Sequence, residues 1–172
     1  MFFIRYLFLV LILICCTSIG FLLSRKYSDR VSELVTFSGF LKILQNKMRF
    51  TKMPLSEAFK DLSNLKSSKA ISEICLNFSQ NIKTEKCEDA WNRAIEDEMS
   101  YLSLNKEDIS IIKKLGNTLG KTDIEGQMSE INEFNTLLQI QIKKAEEERR
   151  KNEKMYRSLG TIVGLAIVII LF

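Results

Sequence analysis

Apolar residues follow a helical rhythm along most of this chain. They recur every three or four positions in six segments, whereas no stretch alternates apolar and polar residues as a half-buried strand does. Seven glycines and a single proline supply few breakers of long helices. The pattern predicts an all-α protein whose first and last helices are long. The apolar faces start at Leu34, Leu55, Ile71, Cys87, Ile109 and Ile124.

Short motifs mark the ends of several predicted helices. Pro54 suits the first position of a new helix. Asn105 and Asp108 have the spacing of a capping box, and Gly120 is placed as the left-handed residue after that helix. Thr122 and Glu125 repeat the capping-box spacing at the start of the last helix.

The last helix carries a heptad-like apolar stripe with steps of four and three residues, and no breaker interrupts it before the C-terminus. Because the first and last helices run in opposite senses, we expect their stripes to pair as an antiparallel stalk. The helices of 54–99 would then form a head, with 105–120 packed nearby. The stripe comprises Ile124, Met128, Ile131, Asn135, Leu138, Ile142 and Ala145.

Both ends of the chain are apolar enough to enter a membrane. The charge-free run Tyr6–Leu23 would form a helix of about 27 Å, close to the ~30 Å hydrocarbon core. The run Met155–Phe172 has the same length and can also span the hydrocarbon core if the Arg157 side chain extends to the head groups. A signal peptide at the first end and a buried terminal helix at the last are the alternatives. The predicted domains are a transmembrane helix 1–23, a helical domain 24–154 and a transmembrane helix 155–172.

Charged residues lie almost entirely between the two apolar ends. All 21 acidic residues, and all 25 basic residues except Arg5, fall in 24–158. Basic clusters directly follow the first apolar run and precede the second, at 25–30 and 149–157. Because basic flanks stay in the cytoplasm, we expect a cytoplasmic middle domain with both termini outside.

Composition excludes several classes of function. A chain without histidine cannot use imidazole as a base or a metal ligand. A net charge of +4 in a mixed pattern is too weak for nucleic-acid binding. Cys75 and Cys87 fall on apolar faces, which favours buried thiols over metal ligands or a disulfide. The sequence thus predicts no catalytic residue, no metal and no cofactor.

The segment 116–122 resembles a phosphate-binding loop without matching it. Three residues, not the required four, separate Gly116 from Gly120, and the preceding stretch predicts a helix where that motif needs a strand. Helix-ending and helix-capping roles account for the same residues. A nucleotide-hydrolysing enzyme remains an alternative class that nucleotide titration would distinguish.

Small residues recur at four-residue spacing in both apolar ends, as Cys16 with Gly20 and Gly160 with Gly164. Such pairs let helix backbones approach closely in lipid. We expect these faces to pack, either within one chain or between protomers. The alternative is that glycine is simply common in membrane helices.

Several short sequences together resemble the stage III sporulation protein AB family of endospore-forming bacteria, over essentially the full length. The resemblance implies a membrane protein of the channel complex that joins mother cell and forespore after engulfment. It implies the outer forespore membrane, with the domain in the mother-cell cytoplasm. The matching residues are Thr17, Gly20, Pro54, Leu55, Glu57, Ala58, Ala90, Trp91, Leu115, Gly116, Leu119, Gly120, Asp123, Gln127, Lys154, Met155, Ser158, Leu159, Gly160 and Gly164.

The resemblance also implies partners. Members are similar to cytoplasmic domains of type II secretion and type IV pilus platform proteins, so the expected partner is a secretion-type ATPase. Other membrane subunits, the lipid bilayer and a homo-oligomer are further expected contacts. The segment 115–127, called the elbow below, is hypothesised to face the partner through Gly116, Gly120, Lys121, Asp123 and Gln127. Packing of the elbow on its own head is the structural alternative, and a pore-forming subunit is the alternative function.

Overall fold

The computed structural model describes residues 2–51, 53–120 and 124–171, with side chains described for 6–51, 53–120 and 125–171. Within these ranges the chain is helical and contains no strand, so the predicted all-α fold with long first and last helices is confirmed. A five-residue π-helical segment, Lys47–Thr51, follows the first helix, and a 3₁₀ turn, Met99–Tyr101, follows the fourth. The helices are α1 (Phe2–Asn46), α2 (Leu55–Ser63), α3 (Lys69–Asn81), α4 (Cys87–Glu98), α5 (Lys106–Thr118) and α6 (Ile124–Leu171).

The chain divides into two compact units. The terminal unit comprises Met1–Val31 and Lys144–Phe172, and the helical unit comprises Ser32–Lys143. Helices α1 and α6 each supply residues to both units. The predicted boundaries at residues 23 and 155 therefore fall inside α1 and α6, and the helical unit is shorter than the predicted domain 24–154.

Three aromatic rings from consecutive helices form the centre of the helical unit. Phe59 of α2, Phe78 of α3 and Trp91 of α4 meet edge to face, with ring centroids 4.5 to 5.5 Å apart. All three side chains are buried. Edge-to-face contacts of this kind add to the stabilisation from burial alone, so the cluster joins α2, α3 and α4 into one core.

Polar side chains set the register of α1 against α6 in the helical unit. The Ser38 hydroxyl donates to Asn135 Oδ1 over 2.6 Å and accepts from Gln139 Nε2 over 2.9 Å. Farther along α1, Gln45 Nε2 donates to Asn132 Oδ1 over 2.8 Å. The two helices therefore run antiparallel here, and the polar member of the heptad-like stripe, Asn135, meets a hydroxyl on the opposite helix.

The predicted helix ends at Asn105 and Gly120 are confirmed, and α2 begins one residue later than predicted. Asn105 and Asp108 exchange both hydrogen bonds of the capping box, at 2.8 and 3.0 Å, and Gly120 adopts a φ of 79° after α5. Pro54 precedes the first residue of α2 because its carbonyl accepts the first helical hydrogen bond, from Ala58. The predicted box at Thr122 lies outside the described residues.

The two thiols of the helical unit differ in burial. Cys75 in α3 is buried as predicted, whereas Cys87, as the first residue of α4, is only half-buried. The apolar face of α4 carries its buried residues from Ala90 onward, so the prediction of a buried thiol was wrong for Cys87. Burial raises the pKa of the Cys75 thiol from its ordinary 9.0 to about 12.

Cys75 is expected to resist alkylation in the folded protein. At pH 8.5 a thiol with a pKa of about 12 is almost wholly protonated, and only the thiolate is nucleophilic. Iodoacetamide treatment followed by peptide mass spectrometry should leave Cys75 unmodified, whereas the same treatment in guanidinium chloride should modify it. Equal rates in both conditions would contradict its burial.

The same shift gives the protein a pH dependence at the alkaline end. Because folding raises the pKa of Cys75, the stabilisation from its protonated thiol is complete below about pH 9. It is lost as the pH rises from 9 toward 12, since the unfolded chain then releases the proton more readily.

Candidate functional site

The first glycine of the elbow, Gly116, is buried against an indole ring. A Cβ atom on Gly116 would lie 2.8 Å from Trp91 Cδ1 and 2.9 Å from Trp91 Cβ. The indole cannot move away easily, because its Nε1 donates a buried hydrogen bond to the Ile112 carbonyl over 2.8 Å. Gly116 thus allows α5 to approach α4 at the distance that this hydrogen bond needs.

The other elbow residues lie in different surroundings. Gly120 is exposed, and its positive φ disfavours residues with a Cβ atom. Gln127 is buried on α6. Lys121 and Asp123 lie outside the described residues. Sequence reasoning grouped the two glycines by spacing, whereas the structure separates a packing position from a turn at the surface.

The segment that resembles a phosphate-binding loop, 116–122, follows a helix. The residues before Gly116 form α5, so the strand that a phosphate-binding loop follows is replaced by a helix. Gly116 itself lies inside this helix and not in the loop that a phosphate-binding motif requires. Among the described residues, no group of three or more His, Cys, Asp or Glu side chains could hold a metal ion.

In the terminal unit, α1 and α6 meet at the predicted small residues. A Cβ on Gly20 would lie 2.9 Å from the Gly160 Cα, and one on Gly160 would lie 2.9 Å from the Cys16 carbonyl oxygen. A Cβ on Gly164 would lie 3.1 Å from Cys16 Cβ. The structure therefore brings Cys16, Gly20, Gly160 and Gly164 together within one chain, with backbones close enough to exclude larger side chains.

This contact predicts a specific disulfide. The Gly164→Cys substitution, in a Cys15→Ser background, should form a disulfide with Cys16 within the same chain under mild oxidation. A Cβ atom at position 164 would lie 3.1 Å from Cys16 Cβ, and a small shift of the helices gives the roughly 3.5–4.5 Å separation that disulfides need. Non-reducing electrophoresis and peptide mass spectrometry would identify a crosslinked monomer. Thr161→Cys, at an exposed position of α6, is the matched control and should not react. A covalent dimer as the main product would instead place the glycine contact between protomers.

Charged and aromatic side chains continue the contact beyond the glycines. Arg30 is 5% exposed and donates to Glu148 over 2.7 Å, and Tyr27 stacks on Tyr156 with ring centroids 5.8 Å apart. Sequence reasoning missed the buried Arg30. The sequence did carry a signal for this pair. Arg30 follows Gly20 by about as many residues as Glu148 precedes Gly160, so two antiparallel helices that meet at the glycines place these opposite charges side by side.

The sequence predicts that Arg157 extends to the lipid head groups. In the structure it also contacts three side chains of the protein. Its guanidinium lies 5.1 Å from the centroid of the Phe21 ring, and its Nε donates to the Ser24 hydroxyl over 3.2 Å. A carboxylate oxygen of Glu153 lies 2.8 Å from its Nη2. These contacts hold the cation in one place on the α1–α6 pair.

Within the described part of the chain, two helices are long and apolar enough to cross a membrane. By length and composition, these are Tyr6–Thr51, within α1 and the following π-helical segment, and Glu125–Leu171, within α6. Large apolar side chains are exposed along both apolar ends, among them Leu7 at 70% and Ile170 at 82%. Lipid would remove this apolar surface from water.

Comparisons with known proteins agree with one another. The family model described as stage III sporulation protein AB matches residues 5–172. The stage III sporulation protein AB of Bacillus subtilis (strain 168) is 27% identical over 164 residues, which cover 94% of this chain and 95% of that protein. A solved structure of a stage III sporulation protein AB has a TM-score of 0.66 at 22% identity. The matched region covers 72% of this chain and 98% of the chain in that structure. That likeness supports the helical fold.

Proposed function

This chain belongs to the stage III sporulation protein AB family, and from that membership we propose that it is a non-enzymatic, membrane-anchored scaffold of the sporulation channel complex. In this role it docks a secretion-type ATPase through its helical unit. The family is described by a role in sporulation and not by a catalysed reaction. The observation that carries the proposal is that α1 and α6 each supply both an apolar end and buried core residues of the helical unit.

The charge distribution supports an orientation for this scaffold. Arg25, Lys26 and Arg30 follow the first apolar end, and the basic residues of 149–157 precede the second. Basic residues next to membrane spans remain on the cytoplasmic side, so the helical unit would lie in the cytoplasm. In the sporulating cell we propose the outer forespore membrane, with the helical unit in the mother-cell cytoplasm.

The exposed part of the elbow is the proposed docking surface for the ATPase. Gly120 is exposed, and Lys121 and Asp123 add two opposite charges beside it in the sequence. Charged groups at the rim of an interface favour one partner orientation over others. The helical unit would then transmit a partner's movement to the membrane through α1 and α6.

Co-purification of the full-length chain with the secretion-type ATPase in mild detergent tests this proposal. Charge reversal, Lys121→Glu with Asp123→Lys, should weaken binding at least tenfold without changing the melting temperature. Lys83→Glu with Asp89→Lys reverses two exposed charges elsewhere in the helical unit and is the matched control. Unchanged binding by the elbow variant, or equal loss in the control, would contradict docking at the elbow. A lowered melting temperature would assign the elbow to internal packing.

A further inference from the structure

We propose that the basic face of α6 just before its apolar end binds the headgroup of an anionic phospholipid. Five side chains line a cavity of about 200 Å³ on this face, and four of them are cationic. The inference rests on the proposed membrane anchoring and adds a lipid class to it. The lining residues, called the basic face below, are Arg149, Arg150, Glu153, Lys154 and Arg157.

The carboxylate in the cavity is already shared by two guanidinium groups. Glu153 Oε2 lies 3.0 Å from Arg149 Nε, and its Oε1 lies 2.8 Å from Arg157 Nη2. Within the described ranges, no carboxylate oxygen lies within 4 Å of Arg150 or Lys154. The cavity therefore has an excess of positive charge and two cations that are available to an incoming anion.

Arg157 adds a cation that is held in position before any ligand arrives. Its contacts with Ser24 and Glu153 occupy Nε and Nη2, and the Phe21 ring lies against the guanidinium. Among the described residues no acceptor binds its Nη1 atom, whose N–H groups can donate to a phosphate oxygen. A guanidinium ordered in advance loses less side-chain entropy when it binds.

The same face of the helix becomes apolar toward the C-terminus. Thr161, Leu165 and Val168 follow Lys154 at intervals of 7, 11 and 14 residues, which repeat the helical position of Lys154. Leu165 is 52% exposed. A ligand on this face meets cations first and then hydrocarbon, about 12 Å farther along the axis from Arg157 to Leu165. That order matches a phospholipid, with its phosphodiester at the cations and its acyl chains beside the apolar side chains.

Native mass spectrometry of the full-length chain in neutral detergent measures this binding. The wild-type chain should retain phosphatidylglycerol in preference to phosphatidylcholine. Arg150→Gln with Lys154→Gln should weaken phosphatidylglycerol binding about 25-fold, at about fivefold per cation, and leave phosphatidylcholine binding unchanged. Lys106→Gln with Lys114→Gln removes two exposed charges from α5 as the matched control and should have no effect. Equal weakening in the control would overturn the proposed site.

Two further arms separate the lipid from other anions and from the anchoring itself. Displacement of phosphatidylglycerol by equimolar inorganic phosphate, or by an acidic peptide, would overturn the assignment to a lipid. Insertion into pure phosphatidylcholine vesicles, tested by alkaline carbonate extraction, reports on anchoring alone. A chain that inserts but shows no preference for phosphatidylglycerol overturns this inference and leaves the scaffold proposal intact, whereas a chain that does not insert overturns the scaffold proposal.

Discussion

Replacing Trp91 with alanine is expected to lower the free energy of unfolding by about 3–5 kcal/mol, the range for truncation of a buried aromatic side chain. Trp91 is 1% exposed and contacts the rings of both Phe59 and Phe78. Its indole also donates to the Ile112 carbonyl of α5. One side chain thus connects α2, α3, α4 and α5, and its removal leaves a cavity at their junction.

Far-UV circular dichroism during thermal unfolding in mild detergent is the measurement for Trp91→Ala. Tyr101→Ala is the matched control, because that aromatic side chain is 76% exposed and should change stability by no more than about 0.5 kcal/mol. Trp91→Phe should retain most of the ring contacts while losing the hydrogen bond to Ile112. Similar melting temperatures for Trp91→Ala and Tyr101→Ala would show that the aromatic cluster does not hold the helical unit together.

Replacing Gly116 with valine should destabilise the helical unit by about 3 kcal/mol, the upper part of the range for overpacking. The added atoms would meet Trp91 at distances below 3.0 Å. The ring cannot yield without losing its contacts to Phe59 and Phe78 and its hydrogen bond to α5. We therefore expect α5 to shift away from α4, which thermal unfolding in the same detergent would detect.

Gly116→Ala adds the same Cβ atom without the valine methyl groups, and Gly39→Ala is its matched control. Gly39 also lies inside a helix of the helical unit, but a Cβ there would meet no atom within 4 Å. The higher helix propensity of alanine should then stabilise the protein by about 1 kcal/mol. A stabilising Gly116→Ala substitution would be inconsistent with the close contact between α4 and α5.

The Gly116 variant also bears on the docking proposal. If the variant has a lowered melting temperature and no longer binds the ATPase, destabilisation of the core explains the lost binding. Charge reversal at Lys121 and Asp123 changes the proposed docking surface and leaves the residues Gly116 and Trp91 unchanged. The two variants together therefore separate the stability of the helical unit from recognition of the partner.

Local chemistry made the helices predictable. The capping box of Asn105 and Asp108 and the left-handed Gly120 depend on residues within a few positions of one another, so sequence spacing is sufficient to find them. Four members of the apolar stripe of α6 are buried, namely Ile131, Leu138, Ile142 and Ala145, whereas Met128 and Asn135 are half-buried. The family resemblance rests largely on other residues, among them Trp91, Gly116 and Gly120, whose order and spacing can also be read directly from the sequence.

Contacts between distant segments needed the tertiary structure. The chain alone determined helix type, helix ends and two apolar termini, since these follow from neighbours three or four residues apart. The tertiary structure decided that Gly116 packs on Trp91, that Arg30 is buried beside Glu148, and that Ser38 meets Asn135. Those outcomes depend on how helices approach and in what register, which the summed packing of the whole chain sets and no local spacing encodes.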